Sequence, residues 1–238
     1  MSSAAKAIMK AIKTRGYWEV DLRPDEPSEA RFESISDCME KVRESVVQLR
    51  GWDYPHFSRR DPPYPMQGRI EASVDFGYNK EYWTMFLNGH FYHLFACRED
   101  WLKETISLFG RSTYADISPG TVLGFLTTLY SVTEIFEFAI RLAQKDVFGR
   151  RVRMKIGLFR MEGRRISSFA PGRFIFREYV CKEKNITFDK WMRVEELIGR
   201  GHEIALETTV SIFELFNWLD VSRDMLRDDQ RKLLEKRL

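Results

Sequence analysis

The stretch from Ser118 to Asp146 constrains this chain more than any other, because it carries no charged residue until Glu134. Ser118-Pro119 has the form of a helix N-cap followed by proline at the first helical position, so the pattern predicts one helix from there to Asp146. At about 1.5 Å per residue such a helix would reach roughly 40 Å, the width of a domain. Its charges, Glu134, Glu137, Arg141 and Lys145, fall at i, i+3 and i+4 spacing and make a single stripe. All other faces are apolar, so the helix must lie inside the fold or against a partner.

The remainder of the 238 residues supplies the means to cover it, since 44% of the chain is apolar and 14% aromatic. That composition excludes disordered and collagen-like classes. Ser3 to Arg15 reads as a short helix ended by Gly16, and Tyr17 to Arg23 alternates as a half-buried strand with Trp18, Val20 and Leu22 on one face. A helix capped by Ser34 or Ser36 is expected to run through Arg50, where Gly51 stops it. The proline- and aromatic-rich stretch 51–65 admits no regular element. Arg69 to Phe76 alternates as a strand. Asn79 to Leu87 reads as a short helix with a good first turn in Asn79-Lys80-Glu81, in competition with a hairpin turning at Asn88-Gly89. His90 to Arg98 follows as an aromatic strand.

Arg151 to Arg160, a short segment around Ile166 and Arg173 to Lys182 read as three contiguous strands of an antiparallel meander. Helices are expected at 192–198 and 203–219, broken by Gly199 and Gly201, and a last amphipathic helix begins at Ser222. Strands separated by helices, then contiguous strands, then helices fit one α+β domain with a mostly antiparallel sheet, a long central apolar helix and a helical C-terminus. The one plausible sub-boundary lies near 148–150.

Three cysteines, Cys38, Cys97 and Cys181, lie far apart without a CxxC pair, which supports neither a disulfide framework nor a zinc site. With no apolar leader-like segment near the N-terminus and no run long enough to span a membrane, the chain is expected to be cytoplasmic. No P-loop, dinucleotide-binding, GxSxG or HExxH motif occurs.

Charge is distributed unevenly. The chain holds 38 basic and 35 acidic residues, yet residues 150–193 contain 13 Lys and Arg against 4 Asp and Glu. That segment is therefore +9 and the rest of the chain −6. Concentrated basic surface attracts phosphates or acidic protein faces. The candidate binding residues are Arg151, Arg153, Lys155, Arg164, Arg165, Arg173 and Arg177, joined by an aromatic and arginine loop of Trp52, Tyr54, His56, Arg59 and Arg60. Aromatic faces beside guanidinium groups suit base stacking or a protein hot spot.

A second constellation, Glu19, Asp21, Glu71 and Asp75, occupies i and i+2 positions of two strands. Were those strands neighbours, the four carboxylates would converge as Mg²⁺ or Mn²⁺ ligands. The competing reading sets them against Arg151, Arg153 and Lys155 in a cross-strand ladder. His90 and His93 point to opposite sides of a strand. The resulting expectation is a non-enzymatic binding or accessory subunit that contacts nucleic acid or an acidic protein partner. A metal-dependent phosphodiesterase and a structural subunit of an oligomer or larger assembly are the alternatives. No catalytic residue, metal ligand or cofactor is assigned.

Overall fold

The computed structural model describes residues 3–26, 30–57, 62–102, 117–169 and 173–237. Helix α1 (Ser3–Ile12) leads into strand β1 (Tyr17–Pro24), which alternates as its sequence requires, with Trp18, Val20 and Leu22 buried. Helix α2 (Ile35–Ser45) is capped by Ser34, whose hydroxyl accepts the Asp37 N–H at 3.1 Å. It ends five residues short of Arg50. Val47 and Tyr54 exchange backbone hydrogen bonds of 2.8 and 2.9 Å, and this pairing turns the chain back where a helix was expected to continue.

Strands β2 (Tyr64–Met66), β3 (Arg69–Phe76), β4 (Asn79–Phe86) and β5 (Phe91–Ala96) follow. The segment expected to be a helix at 79–87 is thus a strand, and the hairpin is the arrangement adopted. Its period is two: Trp83 and Met85 face one way and Tyr82 the other, and all three are buried. A favourable helical first turn is a weak preference, and burial of both faces between two neighbouring strands overrides it. The turn into β5 closes with the Gly89 N–H on the Phe86 carbonyl, with Gly89 at φ 82°.

The central helix starts later than its sequence suggests. Ser118 to Thr121 form a turn with Gly120 at φ 82°, and Val122–Gly124 form a short strand, β6. Helix α3 spans Phe125–Gln144, 20 residues, or about 30 Å. Strand β7 (Arg151–Phe159) pairs with β1 on one side and, on the other, with β9 (Asn185–Arg193), a strand the sequence pattern did not reveal. The expected meander does not form. Strand β8 (Arg165–Ser167) leaves the sheet to pair in parallel with β6, and between Arg173 and Lys182 only Val180 makes a bridge, to Arg165. Helix α4 (Val194–Leu215) runs unbroken through Gly199 and Gly201. A Cβ at Gly201 would lie 2.7 Å from Ile140 Cδ1, so this glycine permits α3 and α4 to approach closely. Helix α5 (Arg223–Leu234) is capped by Ser222, as expected.

The fold is α+β, built on an antiparallel sheet of seven strands in the order β2-β3-β4-β5-β1-β7-β9. Because β1 and β7 are neighbours, the sheet is continuous across 148–150. One face carries α3, wrapped by α2, α4 and α5. Phe138 of α3 packs on Phe91 of β5 with ring centroids 4.8 Å apart, and Phe136 reaches Phe188 of β9 at 6.3 Å. The other face carries α1, with Ala5, Ile8 and Ile12 on Tyr82, Leu94 and Ala96.

One buried ion pair joins these layers. Arg164, in the turn between β7 and β8, donates to both carboxylate oxygens of Asp100 at 2.9 and 2.5 Å, and both side chains are 1% exposed. Asp100 also accepts the N–H groups of Gly16 (2.8 Å) and Gly120 (2.7 Å), while Arg164 donates to the carbonyls of Arg160 and Val122. A Cβ at Gly16 would sit 2.1 Å from Arg164 Nη2, so this position requires glycine. Asp100→Ala leaves a guanidinium buried without its counter-ion, and the expected loss is about 3–5 kcal/mol of unfolding free energy, measurable by urea denaturation.

Candidate functional site

The loop after α2 builds a polar interior. Its anchor is Glu81, on the α3 side of β4. Glu81 accepts the Trp52 indole N–H at 2.7 Å and the His56 backbone N–H at 3.2 Å, and lies 2.9 Å from His93 Nε2. Burial pushes its carboxyl pKa up, but the hydrogen bonds from His93, Trp52 and the His56 N–H outweigh this and hold it below its ordinary value. Trp83 donates its indole N–H to the His56 carbonyl at 2.9 Å, and Trp52 stacks on His56 with centroids 4.1 Å apart. The aromatic loop is therefore clamped to the sheet.

Tyr54 enters deepest. Its ring contacts His93, Phe95 and Phe138 at 5.0 to 6.0 Å, and its hydroxyl is buried without a hydrogen-bond partner among the described residues. Burial, reinforced by Glu81 and Glu134, pushes the phenol well above its ordinary pKa. Beside it Arg50 grips Glu134 of α3 with two bonds of 2.8 and 2.7 Å and reaches Ser131 Oγ at 3.2 Å. Arg98 lines the same recess and forms no ion pair among the described residues, and burial followed by the charge of Arg50 pushes its pKa down to about 10. On the outer side of Trp52, a groove of about 580 Å³ runs along Glu71 to Phe76 under Pro62 and Tyr64.

Of the loop residues singled out in the sequence, Trp52, Tyr54 and His56 come together here, while Arg59 and Arg60 lie outside the described residues. The basic candidates are dispersed. Arg151 lies 5.5 Å over the Trp191 ring, and Arg153 is held by Asp189 through two bonds of 2.8 and 2.7 Å. Lys155 stands opposite Asp21 on β1 and Asp189 on β9. Arg164 is no surface residue at all, since Asp100 holds it in the core. Arg165 lies 3.7 Å from Glu178, and Arg173 is clasped in the carboxylate of Asp229. Arg177 has no carboxylate partner among the described residues.

The four strand carboxylates do not converge. Strands β1 and β3 are separated by β5 and β4, and each acid has its own partner: Glu19 accepts from Tyr92, Glu71 from Tyr82, Asp75 from Lys80, and Asp21 from Arg23. His90 and His93 lie on opposite faces, bound to Asp21 and Glu81. Among the described residues no group of three or more His, Cys, Asp or Glu side chains is arranged to hold a metal, and no helix is long and apolar enough to cross a membrane.

One surface was not evident from the sequence. Phe174 is 76% exposed and Phe176 94%, with ring centroids 6.3 Å apart, and Leu219 is 75% exposed. The two phenylalanines border a recess of about 720 Å³ floored by Phe125, Tyr179 and Trp218, the last two stacked at 4.6 Å. Arg173, Arg177 and Asp220 line its side, and Arg165 lines an adjoining depression that shares Phe174 and Phe176. Arg-Phe-Ile-Phe-Arg alternates as a strand would, and nothing in its composition tells that both phenylalanines point outward.

No protein-family model matches the chain, and no curated protein or solved structure is significantly similar to it.

Asp21 provides a pH readout. Burial alone would raise its pKa, but His90 and Arg23 hold it at about 2 against an ordinary 3.8. The folded value lies below the unfolded one, so Asp21 contributes stability above about pH 4 that disappears as pH falls towards 2. Asp21→Asn is expected to flatten the acid side of the stability curve in that window and to be smallest in effect at the lowest pH, as followed by urea midpoints across the series.

Proposed function

We propose that this chain is a non-catalytic interaction subunit whose Phe174 and Phe176 surface binds a segment of a partner protein bearing apolar and acidic side chains. The observation that carries this reading is the outward projection of two phenylalanines beside Arg177. Large apolar side chains held in water mark binding surfaces, and aromatic and arginine side chains dominate interface energetics. Arg177 and the weakly paired Arg165 supply the positive rim that selects acidic residues.

The same accounting weighs against nucleic acid. Phosphate binding draws on free cations. In the basic segment Arg153, Arg164 and Arg173 are each engaged by an aspartate of the same chain, so a phosphate would have to displace a well-formed pair. The apolar recess gains nothing from a phosphate backbone, whereas leucine or phenylalanine side chains of a protein segment fill it.

The test is fluorescence anisotropy with a labelled synthetic peptide in which leucine and phenylalanine alternate with aspartate and glutamate, set against a labelled single-stranded oligonucleotide. The peptide is expected to bind, with Phe174→Ser together with Phe176→Ser weakening it by about thirtyfold or more and Arg177→Glu by a smaller factor. Preference for the oligonucleotide, equal binding of a peptide in which lysine replaces the acids, or no difference between the parent and the double variant would each overturn the proposal.

A further inference from the structure

From the open half of β3 we infer a docking site for an extended segment of a partner protein, in which apolar and basic side chains alternate and which joins the sheet as an added strand. Strand β2 covers only the first part of this edge. It pairs Met66 with Arg69 and Tyr64 with Glu71, and goes no further. In an antiparallel ladder, alternate residues turn both backbone groups to the same side. The Leu87 N–H donates to the Gly68 carbonyl at 3.0 Å, so in this register the even-numbered residues bond to β4 and the odd-numbered ones face outward. Arg69 and Glu71 meet β2, whereas the N–H and C=O groups of Ser73 and Asp75 have no backbone partner among the described residues. Pro62, which would stand opposite Ser73 if β2 continued, has no N–H to offer. A row of unpaired edge groups is the template on which an added strand forms.

The groove of about 580 Å³ lies along this same stretch and has a wall on each face of the sheet. On one face stand Val74 and Phe76, the latter 59% exposed, with Trp52 beside them. Trp52 stacks on Phe76 at 6.3 Å and is fixed by its bond to Glu81, so this aromatic wall is preformed. On the other face stand Ser73 and Asp75, with Ala5 of α1. One oxygen of Asp75 takes the Lys80 ammonium, and the Asp75 side chain stays 57% exposed. A strand laid on this edge therefore offers the aromatic wall the side chain opposite Val74, and offers Asp75 the side chains opposite Ser73 and Asp75. Valine or leucine suits the first position and lysine the second. A second copy of the chain does not fit, because a two-fold pairing of Ser73 with Asp75 brings Gly77 of one copy opposite Glu71 of the other, a place that Tyr64 already fills.

The experiment is fluorescence anisotropy of the full chain with a short labelled peptide in which lysine alternates with valine. Two further forms of the peptide carry N-methyl groups on the lysine or on the valine backbone nitrogens. With lysines opposite Ser73 and Asp75, the lysine N–H groups turn to β3 and the valine N–H groups to water. Lysine methylation is therefore expected to weaken binding about tenfold or more, and valine methylation by less than about threefold. Ser73→Pro removes only an outward N–H, which an edge position tolerates, and is expected to weaken the peptide about three- to tenfold at an unchanged urea midpoint. Phe76→Ala takes away part of the aromatic wall and is expected to act by a similar factor. The methylated peptides need no variant, so the test stands even if Ser73→Pro fails to fold.

No binding of the peptide, equal or reversed effects of the two methylation patterns, or equal binding of a peptide with glutamate in place of lysine would overturn the proposal. Dimerisation of the parent chain that Ser73→Pro abolishes, read by sedimentation, would also overturn it and assign the edge to a second copy. Because Phe174 and Phe176 line a different recess and are expected to select acidic residues, Phe174→Ser with Phe176→Ser should leave the lysine peptide bound whether or not that surface is correctly placed.

Discussion

The Asp100–Arg164 pair is the contact on which the remaining structure depends. Asp100 lies in the turn after β5, Arg164 in the turn after β7, and their shared hydrogen bonds reach Gly16 before β1 and Gly120 before β6. Four chain segments distant in sequence are thereby fixed at one end of the sheet. Each charge is desolvated, so neither tolerates loss of the other, and each backbone N–H that Asp100 accepts would otherwise be buried unpaired. Glu99, the preceding residue, extends the arrangement by accepting the Gly124 N–H at the start of α3. The central helix is positioned by this acidic dipeptide rather than by a cap of its own.

From that anchor the distribution of charge follows. A segment of +9 suggests a basic surface, but the fold brings Asp21, Asp100, Asp189 and Asp229 from other parts of the chain, and from β9 itself, to its cations. Part of the positive excess is therefore taken up internally, and two exposed phenylalanines, Phe174 and Phe176, lie in the same region.

Period and capping made several elements legible in advance. Trp18, Val20 and Leu22 specify β1, Ser34 and Ser222 cap the helices they were expected to cap, and the apolar run after Gly124 is indeed the buried centre of an α+β fold. The misreadings share one origin. At Asn79-Lys80-Glu81 a local helical preference yielded to two flanking strands, and at Ser118-Pro119 a cap signal yielded to a parallel pairing with β8. Gly199 and Gly201 look like breakers, but Gly201 stays in the helix because Ile140 needs the space where a Cβ would be. Propensity is a matter of tenths of a kcal/mol to about 1 kcal/mol per residue, and tertiary burial exceeds it.

The candidate sites were legible only in part. Sequence alone singled out Trp52, Tyr54 and His56 as a group and marked residues 150–193 as basic. It determined that there is one long apolar helix to be covered, that the strands alternate, and that charge is polarised along the chain, because each of these is a property of neighbours in sequence. Which carboxylate meets which cation was decided by tertiary structure. So was the outward turn of Phe174 and Phe176, the inward placement of Arg164, and the company of Arg98 with Arg50 and Tyr54. Ion pairing and burial depend on distances across the sheet between residues tens of positions apart, and no periodicity encodes those distances.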